Sequence, residues 1–390
     1  MRRLFLLGAL LASAAPLAAQ GSTFGIRGLG FPTPPYSARS RALGGSFSLF
    51  DPQSGMNPAA IATLRTLTAN VTALPEWRTV TSPAGTSSVR GMRFPMMGAA
   101  GPIPGSRFTI GVSAMTYTIR DYSQDFVDTL TIRGAPEVVY DTLAGRGGIS
   151  DLRLVLGWSP SASVVVGGAL HALTGTDRAT LARHFADSTQ YAAVSEKAEL
   201  SFGGFGTDLG TIVRVTSRLD AALALRSDTR VTIQRDSTHA SYPVDLPYMV
   251  AAGLRYRASP SVTVTGQGIF RTWSGANSDL LLQGGTGSRN VWDVSAGVEI
   301  LRNVDRPFEL PIRFGARYTD LPFPFYPGGK PHEWSVAVGT GKLFARGLGG
   351  FDAALEHVSR SEAGGFSEKA WLFTLGVTVR PYYQPRPGER

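Results

Sequence analysis

From about residue 65 onward the chain sets an apolar residue at every second position, in one segment after another of about 10 to 12 residues. A repeat of two is that of a β-strand whose two faces meet different surroundings. Between Pro247 and Arg257, one face carries Tyr248, Val250, Ala252, Leu254 and Tyr256, and the other Gly253, Arg255 and Arg257. Phe308, Leu310, Ile312, Phe314, Ala316 and Tyr318 oppose Glu309, Arg313, Arg317 and Thr319 in the same way. Trp292, Val294, Ala296, Val298 and Ile300 oppose Asp293, Ser295 and Glu299. A soluble sandwich alternates too, but here aromatic residues stand at the ends of the apolar faces: Tyr248 with Tyr256, Phe308 with Tyr318, and Trp158, Trp292, Trp334 and Trp371. Such ends, on segments long enough for a tilted strand to cross hydrocarbon, point to an all-β fold, a transmembrane antiparallel β-barrel.

The segments fall at 66–80, 88–100, 106–121, 149–159, 162–176, 197–215, 219–234, 247–257, 262–273, 290–302, 308–319, 332–343, 350–360 and 369–380, about fourteen strands. Short connections, such as Pro102–Gly105 and Ser259–Ser261, alternate with longer ones near 122–148, 177–196, 235–246, 274–289, 320–331 and 361–368. Short periplasmic turns and long outer loops follow this pattern, and closure removes the edge that lipid cannot satisfy. The expected layout is a barrel over 66–380 and a tail over 381–390.

Residues 1–20 read as a cleaved signal peptide: Arg2 and Arg3, an apolar run from Leu4 to Leu11, then small residues to Ala19. Cleavage is expected between Ala18 and Gly21. Beyond it no run approaches the ~18 apolar residues of a membrane-spanning helix. The chain has no cysteine, which excludes lipoprotein processing and disulfides. Its formal charge of +9 falls to about +7 once the two signal arginines are gone, and the arginines are scattered along the strands, so nucleic acid is not an expected partner. The expected location is the cell outer membrane, with lipid and the outer-membrane assembly machinery as partners.

Residues 21–65 do not alternate and are rich in Gly, Pro and Ala. Ala42-Leu43-Gly44-Gly45-Ser46-Phe47-Ser48-Leu49-Phe50-Asp51-Pro52, followed by Gly55-Met56-Asn57-Pro58-Ala59-Ala60-Ile61-Ala62, resembles the N-terminal hatch of the FadL/PorV superfamily of outer-membrane barrels. The resemblance implies a plug inside the lumen, with Gly44, Gly45, Asp51, Asn57, Pro58 and Ala59 as its motif. Pro58 fixes its own φ and biases Asn57 away from helix, while the Asn side chain can satisfy nearby backbone groups. The motif covers about twenty residues; the looser likeness in spacing, as in Pro247–Arg257 and Leu310-Pro311-Ile312-Arg313, runs along most of the mature chain. In the transporter branch the hatch packs against a kink in an early strand; within 106–121 only Gly111 is a candidate for it.

No catalytic, metal or cofactor motif stands out. His171, His184, His239, His332 and His357 are far apart and outside any H-E-x-x-H or G-x-S-x-G context, and the acidic pairs lack the spacing of a calcium loop. His171 is expected in the lumen. Arg107, Arg153, Arg255, Arg257, Arg313 and Arg317 fall on the polar face with Asp151, Asp293, Glu299, Glu309 and Glu356, enough of both signs for cross-strand pairs. Phe323, Phe325 and Tyr326, in an outer loop, form a candidate apolar capture lip or fold back onto the barrel. The resemblance implies either a channel for hydrophobic or amphipathic, fatty-acid-like molecules gated by the hatch, or a scaffold that holds a secreted protein partner in type IX-like secretion. A non-specific porin is a third expectation, weakened by the plug-like N-terminus.

Overall fold

The computed structural model describes residues 21–82, 85–187, 189–236, 240–305 and 309–381. The expected signal peptide and the tail beyond 381 lie outside the described residues, as do His239 and Phe308. In chain order the strands are β1 (Phe31–Pro32), β2 (Thr68–Ser82), β3 (Gly85–Pro102), β4 (Phe108–Ile119), β5 (Tyr122–Ile132), β6 (Ala135–Trp158), β7 (Val164–Phe185), β8 (Val194–Arg214) and β9 (Leu219–Asp228). There follow β10 (Val231–Arg235), β11 (Ser241–Val244), β12 (Met249–Arg257), β13 (Val262–Arg271), β14 (Val291–Ile300), β15 (Ile312–Asp320), β16 (His332–Phe344), β17 (Gly349–Glu362) and β18 (Phe366–Val379). Fourteen of them, all but β1, β5, β10 and β11, form an antiparallel wall. β18 pairs back onto β2, from Ser367 opposite Thr81 to Val379 opposite Ala69, and closes the sheet.

The period-two pattern becomes the two faces of this wall. In β14 the burial alternates without a break, with Trp292 and Val294 exposed outward and Asp293 and Ser295 buried inward. Register aligns the outward aromatics into a girdle near the long-loop end: Tyr318 opposes Trp334, His357 opposes Trp371, and Trp371 opposes Trp77. An apolar exterior ringed by aromatics is what a lipid bilayer selects. No helix among the described residues is long and apolar enough to cross a membrane.

The differences from the sequence reading lie mostly beyond the membrane. The expected loops at 122–148 and 177–196 are largely strand, because β5 pairs with the first half of β6 and β6 continues against β7 as far as Val139 opposite Phe185. The expected strand 219–234 is interrupted at Thr229–Arg230, after which β10 continues along β8 in the same direction with its register shifted by one residue, from Asp228 opposite Gly206 to Thr232 opposite Gly203. The expected strand 308–319 begins only at Ile312; Leu310 has φ 53°, a turn conformation, and Glu309 makes a lone bridge to Lys342. The connection at 361–368 is a tight turn between β17 and β18.

Candidate functional site

Residues 21–64 run inside the wall, with Tyr36, Leu43, Phe47, Leu49, Phe50 and Met56 buried against Ala222, Ala224, Met249, Ala251 and Ile269 of β9, β12 and β13. Ser37 caps a one-turn helix, α1 (Ala38–Ala42), by accepting from Ser40 N. Asp51 ties the far side of this loop to the helix: its carboxylate accepts from the hydroxyls of Ser37, Ser40 (2.8 Å) and Ser54 (3.1 Å). Gly44 and Gly45, at φ 65° and 93°, turn the chain beside the inner face of β15. The approach is so close that a Cβ on Gly315 would overlap the backbone of Leu43 and Gly44.

Asn57, 1% exposed, is bonded at both ends of its amide: Nδ2 donates to the carbonyls of Leu49 (2.9 Å) and Thr211 (3.3 Å), and Oδ1 accepts from Ala59 N (3.0 Å). Pro58 and Ala59 start a 3₁₀ helix, Pro58–Thr63, that packs on β6, β7 and β8. Asn57→Ala leaves these buried backbone groups short of partners, at about 1–3 kcal/mol. The expected result is a barrel that still shows the gel shift of a folded barrel on heating, but whose residues 21–64 become cleavable by protease; unchanged resistance would refute the role given to this amide.

Two ion-pair lattices line the lumen around this segment. In one, Arg317 bonds Glu333 and lies 3.6 Å from both Asp293 and Glu356, while Arg360 bonds Glu333 (2.5 Å) and Glu368 (3.1 Å). Arg41 reaches Glu356 (3.2 Å), and Arg39 shares Glu299 with Arg313, both at 2.7 Å. Tyr36, whose phenol is pushed up by burial and then by Asp293, sits over this lattice as a neutral group. In the other, Arg226 holds Asp151 and Asp228 at 2.7 Å, and Arg153 pairs with Asp208 and donates to the Gly55 carbonyl (2.5 Å). His171 stands among Asp151, Asp208 and Asp228 at 3.3–3.5 Å. Arg226 and Asp228 were not singled out from the sequence, although they share parity with Asp220, Ala222 and Ala224 on the inward face of β9.

The other expected site residues lie elsewhere. Arg107 does not line the lumen: it is exposed in the turn before β4 and donates to the Pro160 carbonyl (2.7 Å). Arg255 and Arg257 point inward at the short-turn end, both bonded to Asp220. Phe323 and Phe325 form no exposed lip; they are 2% and 5% exposed. Phe323 meets Trp273 edge-on at 5.0 Å, and Phe325 stacks on Phe366 at 4.2 Å and contacts Phe24 at 4.9 Å. Burial of so much aromatic surface folds the loop inward over the N-terminal segment. Tyr326 alone of the three is exposed, at 42%.

Beneath that loop is a cavity of about 100 Å³, walled on part of its surface by Phe31, Met56, Leu74, Trp273, Leu321 and Leu372 and on the rest by charged residues of both lattices, among them Asp151, Arg226, Asp293, Arg317, Glu333 and Arg360. Arg271 also lines it, and among the described residues its guanidinium has no hydrogen bond or ion pair. Beside the cavity the wall is incomplete. β3 and β4 pair only from Met96–Met115 to Pro102–Thr109, so Gly85–Arg93 pair with β2 alone. The free edge of β4 is taken by the N-terminal segment: Phe31 and Pro32 pair with Ile119 and Thr118, Thr33 N donates to Tyr117 O (2.9 Å), and Gly21 N to Asp121 O (2.5 Å). The irregularities sit at Tyr117, which drops out of the β6 register, and at the β2–β3 shift beside Pro75 and Pro95, not at Gly111. A bulge turns one carbonyl away from its ladder, and a proline removes a donor, so both free backbone for another partner.

No family model matches the sequence, and no curated protein matches it. Solved structures match the fold over nearly its whole length. A FadL homologue of Pseudomonas aeruginosa superposes with a TM-score of 0.65 at 12% identity, covering 90% of this chain and 99% of that one. The monoaromatic hydrocarbon channel CymD gives 0.57 at 14% identity (89% and 98% covered), and the Pseudomonas putida toluene transporter TodX gives 0.57 at 11% (90% and 99%). At such identities the likeness is one of architecture: the chain has the fold of the FadL-type outer-membrane barrels.

Proposed function

We propose that this barrel is an outer-membrane channel for hydrophobic or amphipathic small molecules, and that residues 21–65 are its hatch. The observation that carries the proposal is the cavity between hatch and outer loops, set beside the stretch where β3 and β4 part. Gly55 and Met115 border both this cavity and a smaller one between the hatch and β3–β4. The smaller space shares Gly98, Ser113 and Arg153 with an apolar depression of about 870 Å³ on the outer wall. A molecule too apolar for water would thus pass from the mouth to the wall by displacing the hatch at Gly55, which borders both spaces, with no need of an open aqueous pore. Proteins of the same fold include a toluene transporter and a monoaromatic hydrocarbon channel, which fits this reading.

The ion-pair lattices hold the hatch, with Asn57, Pro58 and Ala59 against one side of the wall and Gly44, Gly45 and Asp51 shaping the turn against the other. Arg271 is the group in the cavity free to meet an anionic head. Mass spectrometry of the purified barrel should find a co-purifying apolar molecule. In titrations, Arg271→Gln should weaken dodecanoate about tenfold or more, the loss of a charge-assisted hydrogen bond, and leave dodecanol unchanged. A barrel that binds neither compound, with or without its hatch, would overturn the channel reading.

A further inference from the structure

The two rims of the barrel carry charge differently. At the long-loop rim basic and acidic residues are mixed and in part paired: Arg230 with Asp245 (2.5 Å), Arg183 with Asp141 (2.5 Å), Arg289 with Asp320 (3.8 Å). At the short-turn rim, Arg65, Arg107, Arg218, Arg302 and Arg380 lie in the connections just outside the wall strands. Among the described residues none of these five guanidiniums has a carboxylate within 4.0 Å; Arg107 reaches only a backbone carbonyl. The carboxylates nearby are engaged elsewhere, Asp220 by Arg255 and Arg257, Asp352 by Arg313, and Glu309 by Lys342, which leaves Asp305 as the one acidic counterweight in the described turns.

Each of the five sits within three residues of an exposed apolar side chain: Leu67, Phe108, Val215, Val304 and Val379. That places them where the apolar belt ends. They are also spread around the circumference, Arg65 and Arg380 at the β18–β2 seam, Arg107 between β3 and β4, Arg218 between β8 and β9, and Arg302 between β14 and β15. A folded protein partner would meet one side of such a ring. A leaflet meets all of it at once, at the depth of its head groups. Guanidinium suits phosphodiester oxygens, which it can bond in pairs while staying charged.

We infer that the short-turn rim binds the phosphates of anionic phospholipids, and that with short turns facing the periplasm these lie in the inner leaflet of the outer membrane. The ring then fixes the depth of the barrel and adds a lipid preference that the apolar belt alone does not supply. This inference is independent of what the lumen carries.

The test is native mass spectrometry of the detergent-purified barrel with equal amounts of phosphatidylglycerol and phosphatidylcholine of matched chains. The wild type should retain phosphatidylglycerol in excess, by up to roughly fivefold per engaged arginine, the fold-change expected of one basic residue beside an anionic leaflet. The preference should fall with added salt. The combined Arg65→Gln, Arg107→Gln, Arg218→Gln, Arg302→Gln and Arg380→Gln variant should lose it, and the matching Arg→Lys set, which keeps the charge, should retain most of it. The heat-dependent gel shift confirms that each variant is folded. Equal retention of the two lipids by the wild type, or a preference that survives in the Gln set, would overturn the inference. So would inorganic phosphate displacing the lipid at equal concentration, since the site would then be one for free anions.

Discussion

Deleting residues 21–62 should turn an electrically silent barrel into an ion-conducting pore. A fourteen-strand wall encloses a lumen wider than its own side chains can fill; barrels of about eight strands close on themselves, and those of about sixteen leave a channel. In the reading proposed above the N-terminal segment fills this gap, with Tyr36, Leu43, Phe47 and Phe50 packed on residues of β9, β12 and β13. Without the segment, Glu299 and Glu356 lose Arg39 and Arg41 and turn to water, and the remaining lining is polar. Planar-bilayer recordings should show discrete openings for the deletion variant and none for the full mature chain. A silent deletion variant that still runs as a folded barrel would mean that the outer loops, with Phe323 and Phe325 folded inward, seal the lumen by themselves.

The second large effect is expected at Glu333. Its carboxylate, 2% exposed, is shared by Arg317 and Arg360, which reach it from the strands on either side, β15 and β17. Glu333→Gln leaves two buried guanidiniums with one charge fewer to meet. Breaking a buried pair from one side costs about 3–5 kcal/mol, because the remaining charge is stranded away from water. Urea unfolding in lipid vesicles should register a loss of that size. Arg178→Gln, which breaks an exposed pair with Glu199, should change stability by no more than about 1 kcal/mol. If the two variants behave alike, the lattice is hydrated and does not hold the wall together.

How far the sequence could be read depended on where each residue meets two different solvents. β14 alternates over its whole length because lipid lies on one side and the packed lumen on the other, and its pattern is plain in Trp292–Ile300. β6 shows the limit. Its second half alternates strictly from Ile149 to Trp158, whereas Ala135–Arg146, paired between β5 and β7, shows no such alternation. That half therefore looked like loop. The lumen face of Arg153, His171, Asp293, Glu299, Arg313 and Arg317 follows from parity, as does the pairing of Arg313 with Glu299 directly opposite on the next strand, but contacts that join non-adjacent strands, such as Arg153 with Asp208 and Arg226 with Asp151, leave no mark in the spacing. Arg107 shows parity misapplied, since the residue lies in a turn where the two-residue period no longer holds. Phe323 and Phe325 were legible as aromatics needing cover; that Trp273, Phe24 and Phe366 supply it is a tertiary fact.

The first residues of the described chain are held by the last wall strand: Ser22 Oγ and Thr23 N donate to the Glu368 carboxylate at 2.7 and 2.5 Å, across 346 and 345 positions. Beside them, Gly21 N donates to the Asp121 carbonyl, between β4 and β5 and likewise far away in the chain. Ser22 and Thr23 thus have no completed berth until β18 is in place against β2. Loop-closure entropy is spent before these contacts repay it, so seating of the N-terminus and completion of the ring belong to a single late step.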